Sequence, residues 1–118
     1  MSSTPFNEDE AKKFLVAQEE KEKERIETIR KAVLQTSITI LKEEFQNSPV
    51  EVYLVGSILQ PFQFQDRSDI DIVLKNFQGD YFETWSKLSM KFDRTIEVIL
   101  FEQCHFQDFI LKHGLKVV

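Results

Sequence analysis

Residues 52–74 read VYLVGSILQPFQFQDRSDIDIVL, and the order of apolar and acidic residues in this stretch decides the fold. An apolar run, residues 52–55, ends at Gly56-Ser57, and a second apolar run after a loop carries Asp69 and Asp71. Successive side chains of a strand point to opposite faces, so the two carboxylates are predicted to share one face, about 7 Å apart. The other face of the same strand is apolar and can pack in a core: Ile70, Ile72 and Leu74.

Two interpretations of this carboxylate pair are open. Like charges on a half-buried strand repel each other and are costly to remove from water, so a hard divalent cation such as Mg²⁺ or Mn²⁺ would stabilise them. An Asp-x-Asp pattern is also found on strand edges that are simply solvated. The preceding turn favours the metal, because Gly56 permits a sharp turn near a ligand and Ser57 can offer its hydroxyl and N–H groups to a phosphate. Paired carboxylates beside such a turn suit phosphoryl or nucleotidyl transfer.

The same residues resemble a known family. Gly56-Ser57, the loop of residues 58–68 and Asp69-Ile70-Asp71 look like the signature of the polymerase-beta-type nucleotidyltransferases. The sequence SDIDIV, residues 68–73, is close to the motif that is usual in their minimal, single-domain branch, called MNT. The resemblance covers residues 50–118, and it implies a polymerase-beta-like nucleotidyltransferase fold.

The resemblance also implies a metal centre. Asp69 and Asp71 would hold Mg²⁺ on ATP, and the family places a third acidic residue on the strand after the next helix, where Glu97 stands. The three carboxylates would serve as catalytic residues and as ligands of two metal ions. A second interpretation of Glu97, as a strand residue facing solvent, is also open.

Four further residues are candidates for binding the nucleotide. Gly56 and Ser57 would hold the phosphates, and Ser68 belongs to the same signature. Arg67 either meets the triphosphate or only offsets Asp66 and the nearby carboxylates.

The family resemblance implies a partner and an activity. Minimal nucleotidyltransferases pair with a HEPN-domain RNase toxin and act as its antitoxin by transferring AMP from ATP to a tyrosine of the toxin. Two alternatives come from other classes: a binding module that neutralises its partner by contact alone, and a nucleotidyltransferase that acts on a small molecule. Ile58 favours the binding module, since nucleotide-binding members often carry a basic residue there.

The composition of the chain limits its possible size class, partners and location. The chain has 118 residues, enough for one domain with a modest core. Its net charge of −5 argues against a broad electrostatic contact with nucleic acid, so no direct nucleic-acid partner is expected. Cys104 is the only cysteine, and no apolar run is long enough to span a membrane. We therefore expect a cytoplasmic protein without membrane association.

The first part of the chain predicts one long helix. Residues 8–45 contain neither Gly nor Pro, and Asn7 with Glu10 resembles a capping box. Residues 17–25 have almost no apolar side chains, whereas residues 26–45 carry an apolar stripe at helical spacing. We expect one domain overall, in which residues 1–48 form a solvated arm plus a core-packing half, and residues 1–6 are frayed.

Residues 49–118 predict the remaining core of an α+β, two-layer fold: a small mixed sheet of three to four strands with helices packed on one side. The strands are expected at residues 50–55, 69–75 and 94–101, with a short edge strand at 115–118. Helices are expected from Asp80 onwards and over residues 103–113. Six aromatic or apolar side chains are predicted to point into the core: Phe62, Phe64, Trp85, Phe106, Phe109 and Ile110.

Overall fold

The structure, a computed structural model, describes residues 7–118, which form helices packed on a mixed sheet. The predicted α+β class is confirmed, and the expectation for residues 1–6 lies outside the described residues. The elements in chain order are α1 (Glu8–Phe45), β1 (Glu51–Val55), β2 (Ile70–Lys75), α2 (Tyr81–Ser89), β3 (Ile96–Leu100), α3 (Gln107–His113) and β4 (Leu115–Lys116). Two 3₁₀ turns, Ser57–Leu59 and Phe101–Gln103, follow β1 and β3.

The sheet has the strand order β3-β2-β1-β4. β1 runs antiparallel to both β2 and β4, whereas β2 and β3 are parallel because α2 connects them as a crossover. Asp71 lies between Val55 of β1 and Glu97 of β3 as their register partner. This register places the ends of three strands side by side.

Helix α1 is a single unbroken helix of 38 residues. The side chain of Asn7 caps it by accepting a hydrogen bond from the Glu10 N–H group at 3.2 Å. Only its second half packs on the sheet, through residues such as Leu41 and Phe45, while most side chains of residues 8–25 are exposed. The described residues consequently measure 76 × 29 × 20 Å, with the first half of α1 projecting as an arm.

The two faces of the sheet carry different layers. Helices α1 and α2 cover one face, where the largest core contains Leu41, Leu88 and Ile72. A smaller core lies on the other face, where Ile110 of α3 packs near Tyr53 and Val73. The prediction that helices pack on one side is therefore wrong for α3, because Tyr53 and Val55 of β1 and Val73 of β2 form a second apolar patch that needs a cover of its own.

Several predicted core residues are exposed. Phe64 is buried, as predicted, but Phe62 lies outside the core in a positive-φ conformation. Trp85 is 41% exposed, although it lies on the same side of α2 as Tyr81 and Leu88, which pack on the core. The last helix begins four residues later than predicted, which leaves Phe106 and Phe109 about half exposed and only Ile110 inside. The α2 cap is as predicted: Asp80 accepts from the Glu83 N–H group at 2.8 Å.

Candidate functional site

The centre of the candidate site is a pair of carboxylates on adjacent parallel strands. Asp71 on β2 and Glu97 on β3 are register partners, so their side chains leave the same face of the sheet next to each other. Burial, then the facing Glu97 carboxylate and the charge of Asp69, raise the pKa of the Asp71 carboxyl to about 6. Burial and the neighbouring carboxylates both disfavour the ionised form of Asp71, and a cation or a shared proton is stabilising in such an environment.

Asp69 completes the acidic cluster from a different position. It immediately precedes β2 and is exposed, and its charge contributes to the raised pKa of Asp71. Glu97 is also exposed, whereas Asp71 is partly buried. The structure thus brings the three predicted carboxylates to one end of β2 and β3, with Asp71 in the middle.

Whether these residues fit a metal ion can be tested on their chemistry and their arrangement. Carboxylate oxygens are the donors that Mg²⁺ prefers, and the raised pKa of Asp71 reflects its burial first and the neighbouring carboxylates of Glu97 and Asp69 second. Within residues 7–118, however, no group of three or more His, Cys, Asp or Glu side chains is arranged so that it could hold a metal ion. The chemistry of the donor set therefore fits a hard divalent cation, whereas its arrangement does not form a joint ligand set.

Gly56 forms the turn beside the carboxylates. Its φ of 88° lies in the region that favours glycine, and a Cβ atom added there would lie 2.5 Å from Asp71 Oδ2. Both observations require glycine: any side chain would be strained and would displace the Asp71 carboxylate. The sequence motif Gly56-Ser57 therefore corresponds to a close approach of backbone and carboxylate.

The 3₁₀ turn after Gly56 has donors available at its start. Its hydrogen bonds run from the N–H groups of Leu59 and Gln60 to the carbonyl oxygens of Gly56 and Ser57, at 3.1 and 3.0 Å. The N–H groups of Ser57 and Ile58 precede the first bonded donor, so they have no acceptor within the turn itself. Together with the half-buried Ser57 hydroxyl, they provide donors of the kind that bind phosphate oxygens.

Helix α1 fixes this turn from behind. The buried guanidinium of Arg30 donates from Nη1 to the carbonyl oxygen of Ile58 at 2.9 Å and pairs with Glu27 one turn earlier. Glu27 in turn accepts from the backbone N–H of Phe62 at 3.0 Å. The Arg30 guanidinium, followed by the Phe62 N–H group, lowers the pKa of Glu27 to about 2. The partner of Glu27 is thus Arg30, three residues on along the same helix.

Arg94, just before β3, organises the second half of the loop. Its Nη1 atom donates to the carbonyl oxygens of Gln65, Asp66 and Ser68 at 3.1, 3.0 and 3.4 Å, and its guanidinium lies 4.5 Å from the centre of the Phe64 ring. Since Asp69 follows this loop directly, Arg94 is a positioning residue for the acidic cluster. The sequence offered no signal for it beyond a basic residue at the start of a strand.

The other predicted phosphate-binding residues lie elsewhere. The Ser68 hydroxyl accepts a hydrogen bond from the Gln65 N–H group at 2.8 Å, which is a contact within the loop. Arg67 is exposed and lines a depression between the loop and α1, next to Arg25 and Asp66. Arg25 pairs with Asp66 at 3.1 Å and lowers the pKa of that carboxyl. Arg67 therefore lines a different depression from the one that Gly56 lines.

Comparison of the chain with protein-family models, with curated proteins and with solved structures finds no match. The polymerase-beta-like assignment consequently stays a prediction that depends on the residues above. Within the part of the chain that the structure describes, no helix is both long enough and apolar enough to cross a membrane.

Proposed function

We propose that the protein is a Mg²⁺-dependent nucleotidyltransferase that transfers AMP from ATP to a tyrosine hydroxyl of a HEPN-type RNase toxin, and that it acts as the antitoxin. The observation that carries this proposal is the alignment of Asp71 with Glu97 on adjacent strands, directly beside the Gly56 turn. A phosphate-binding turn and a carboxylate pair at one point are the two parts that nucleotidyl transfer needs.

The chemistry assigns a task to each part. The acceptor oxygen forms a bond to the α-phosphorus of ATP, the bond from this phosphorus to the bridging oxygen breaks, and pyrophosphate leaves while the hydroxyl proton is released. Bound Mg²⁺ supplies charge neutralisation of the triphosphate and lowers the pKa of the attacking hydroxyl. Asp69, Asp71 and Glu97 would hold the metal, and the N–H groups at the Gly56 turn would orient the phosphates.

The rest of the chain supports a protein acceptor. The carboxylates lie at the end of a four-stranded sheet without a second domain in residues 7–118 to enclose a small substrate. The arm projects from the core and exposes Phe14, Leu15 and Val16, which contact no core residue. A partner that docks on such an arm could bring its own hydroxyl to the carboxylates, as an antitoxin that modifies its toxin requires.

A second candidate is a binding module that neutralises its partner by contact alone. The absence of a preformed three-residue metal cluster in residues 7–118 favours it, as does the projecting arm. The two functions predict different consequences of removing the carboxylates, because contact on the arm does not depend on them.

The experiment mixes the protein with Mg²⁺, ATP labelled at the α-phosphate, and the toxin encoded next to it. We expect label on the toxin, which is lost in Asp69→Asn, Asp71→Asn and Glu97→Gln variants. The matched control is Glu43→Gln, which removes an exposed carboxylate of α1 far from the site and should transfer label normally.

The outcomes separate the candidates. Toxin that is neutralised equally well by the Asp71→Asn variant, without label, would show the binding module. Label on an added aminoglycoside instead of the protein would show a small-molecule transferase. Absence of label on the toxin with the wild-type protein would refute the proposed activity.

A further inference from the structure

A cleft opens beside the Gly56 turn on the face of the sheet that carries the carboxylates. Its volume is about 290 Å³. Val55 and Gly56 form its inner end, and Val55 is the register partner of Asp71. The six lining residues come from β1, from the turn after it and from α3: Val55, Gly56, Leu59, Gln60, Phe109 and His113. The cleft and the carboxylates therefore meet at Gly56.

One wall of the cleft is aromatic. Phe109 and His113 lie one helical turn apart on α3, with ring centres 5.0 Å apart and planes inclined at 45°. Phe109 is 51% exposed, so its ring is not needed by the core beneath α3, which Ile110 fills. An exposed pair of rings that faces a cleft offers flat π surfaces to a ligand.

The position of this wall is fixed by Gly114. Its N–H group donates to the carbonyl oxygen of Ile110 at 2.8 Å, and an added Cβ atom would lie 2.6 Å from that oxygen and 3.2 Å from Cγ1 of Val55. A side chain at this position would thus clash with the Ile110 carbonyl of α3 itself, and its Cβ atom would also lie in tight contact with Val55 of β1. The aromatic wall is held against the same strand that leads to Gly56.

We propose that this cleft binds the nucleobase of the nucleoside triphosphate, an inference that rests on the proposed nucleotidyl transfer. If the phosphates are held at Gly56, the rest of the nucleotide points along the cleft, because Gly56 belongs both to the turn beside Asp71 and to the lining of the cleft. Phe109 and His113 form the stacking wall, and Leu59 lines the cleft with apolar surface. The Gln60 amide, which has both a donor and an acceptor, faces the edge of the base.

The size of the cleft matches part of a nucleotide. Pockets that enclose whole small molecules have volumes of about 300–1,000 Å³. At about 290 Å³ the cleft lies just below that range, which leaves room for a planar base with the triphosphate outside it. Stacking on an aromatic side chain is sequence-tolerant and strong enough to contribute measurably to nucleotide affinity.

The test compares binding of ATP with binding of inorganic triphosphate, each in the presence of Mg²⁺, by calorimetry. Triphosphate has the phosphates but lacks the base. We expect Phe109→Ala to weaken ATP binding about tenfold while triphosphate binding stays within about twofold of the wild type. The matched control is Phe106→Ala, which removes a half-exposed ring of the same region that does not line the cleft and should change neither affinity.

A second pair of variants tests His113. His113→Ala should weaken ATP binding selectively, and His113→Phe, which keeps an aromatic ring at the position, should restore it. Thermal unfolding of each variant confirms that α3 remains folded, and a loss of ATP affinity that accompanies a loss of helix would overturn the assignment of a stacking role.

The outcomes distinguish this inference from the proposed function. If the wild type binds triphosphate and labels its partner, but Phe109→Ala binds ATP as well as the wild type does, only the nucleobase assignment fails. If Phe109→Ala instead lowers affinity for the partner protein with ATP affinity unchanged, the cleft binds the partner and the assignment is again wrong. If the wild type binds neither ATP nor triphosphate, the proposed function fails and the nucleobase assignment fails with it.

Discussion

Replacing Asp71 with Asn should make the protein more stable at neutral pH. The pKa of this carboxyl is raised from 3.8 to about 6, chiefly by burial and then by Glu97. A carboxyl whose pKa is higher in the folded state favours folding below its unfolded pKa, and this contribution is lost as the pH rises through 6. At pH above about 7 the ionised Asp71 therefore destabilises the folded protein, and Asn removes that cost.

The magnitude follows from the two pKa values. A rise of the Asp71 pKa from 3.8 to about 6 corresponds to about 3 kcal/mol in the free energy of unfolding, if the full pKa difference between the folded and unfolded states contributes. Asp71 is only partly buried, and solvent screening reduces this to about 1 kcal/mol. We expect Asp71→Asn to be more stable than the wild type by about 1 kcal/mol at pH about 7.5 and nearly equal to it at pH about 4.

Urea unfolding of both proteins across this pH range measures the difference directly. Glu43→Gln is the control for the general relief of net negative charge, since it removes one charge from an exposed position on α1. The reasoning is refuted if the difference between Asp71→Asn and the wild type does not change with pH, or if Glu43→Gln reproduces it. Added Mg²⁺ should raise the stability of the wild type but not that of Asp71→Asn, because a ligand stabilises only the protein that binds it.

Three further predictions concern the elements around the site. Arg30→Ala should lower the free energy of unfolding by about 1–3 kcal/mol, measured in urea, because it removes the buried donor to the carbonyl oxygen of the turn after β1. Gly56→Ala should lower the free energy of unfolding by about 1–3 kcal/mol because of the positive φ at this position, and it should abolish nucleotide transfer. The control Gly79→Ala changes a glycine without positive φ and should keep transfer activity. Leu41→Ala should lower the free energy of unfolding by about 2–5 kcal/mol, because Leu41 is fully buried. Leu15→Ala, in the exposed arm, should leave the urea midpoint nearly unchanged.

The sequence predicted the strands around the site because their signal is local. The alternation of Asp69, Ile70, Asp71 and Ile72 requires only the two-residue period of a strand, and the structure places β2 within one residue of the prediction. The adjacency of Glu97 depends on parallel pairing of strands separated by a helix. Spacing alone does not determine that register, and the family resemblance supplied it.

The wrong core predictions concern aromatic residues, which occur both in cores and on surfaces. Helical spacing predicts core positions for the aromatic residues of helices α2 and α3, but Trp85 and Phe109 are exposed, and the residues that the short helices bury are Leu88 and Ile110. The second layer could have been inferred from the chain itself. Tyr53, Val55 and Val73 lie on the face of the sheet opposite the α1 core, and an apolar second face indicates that another element must cover it.

Helix α1 joins the two parts of the molecule that a protein-directed transferase would need. Residues 8–25 form the exposed arm, and within the next turn and a half Glu27 and Arg30 bond to the backbone of the loop after Gly56. Arg25, at the junction, pairs with Asp66 in the same loop. The exposed arm is therefore continuous, through one helix, with the residues that fix the candidate phosphate-binding turn. A partner that changes the orientation of the arm would act on the turn through these three bonded side chains.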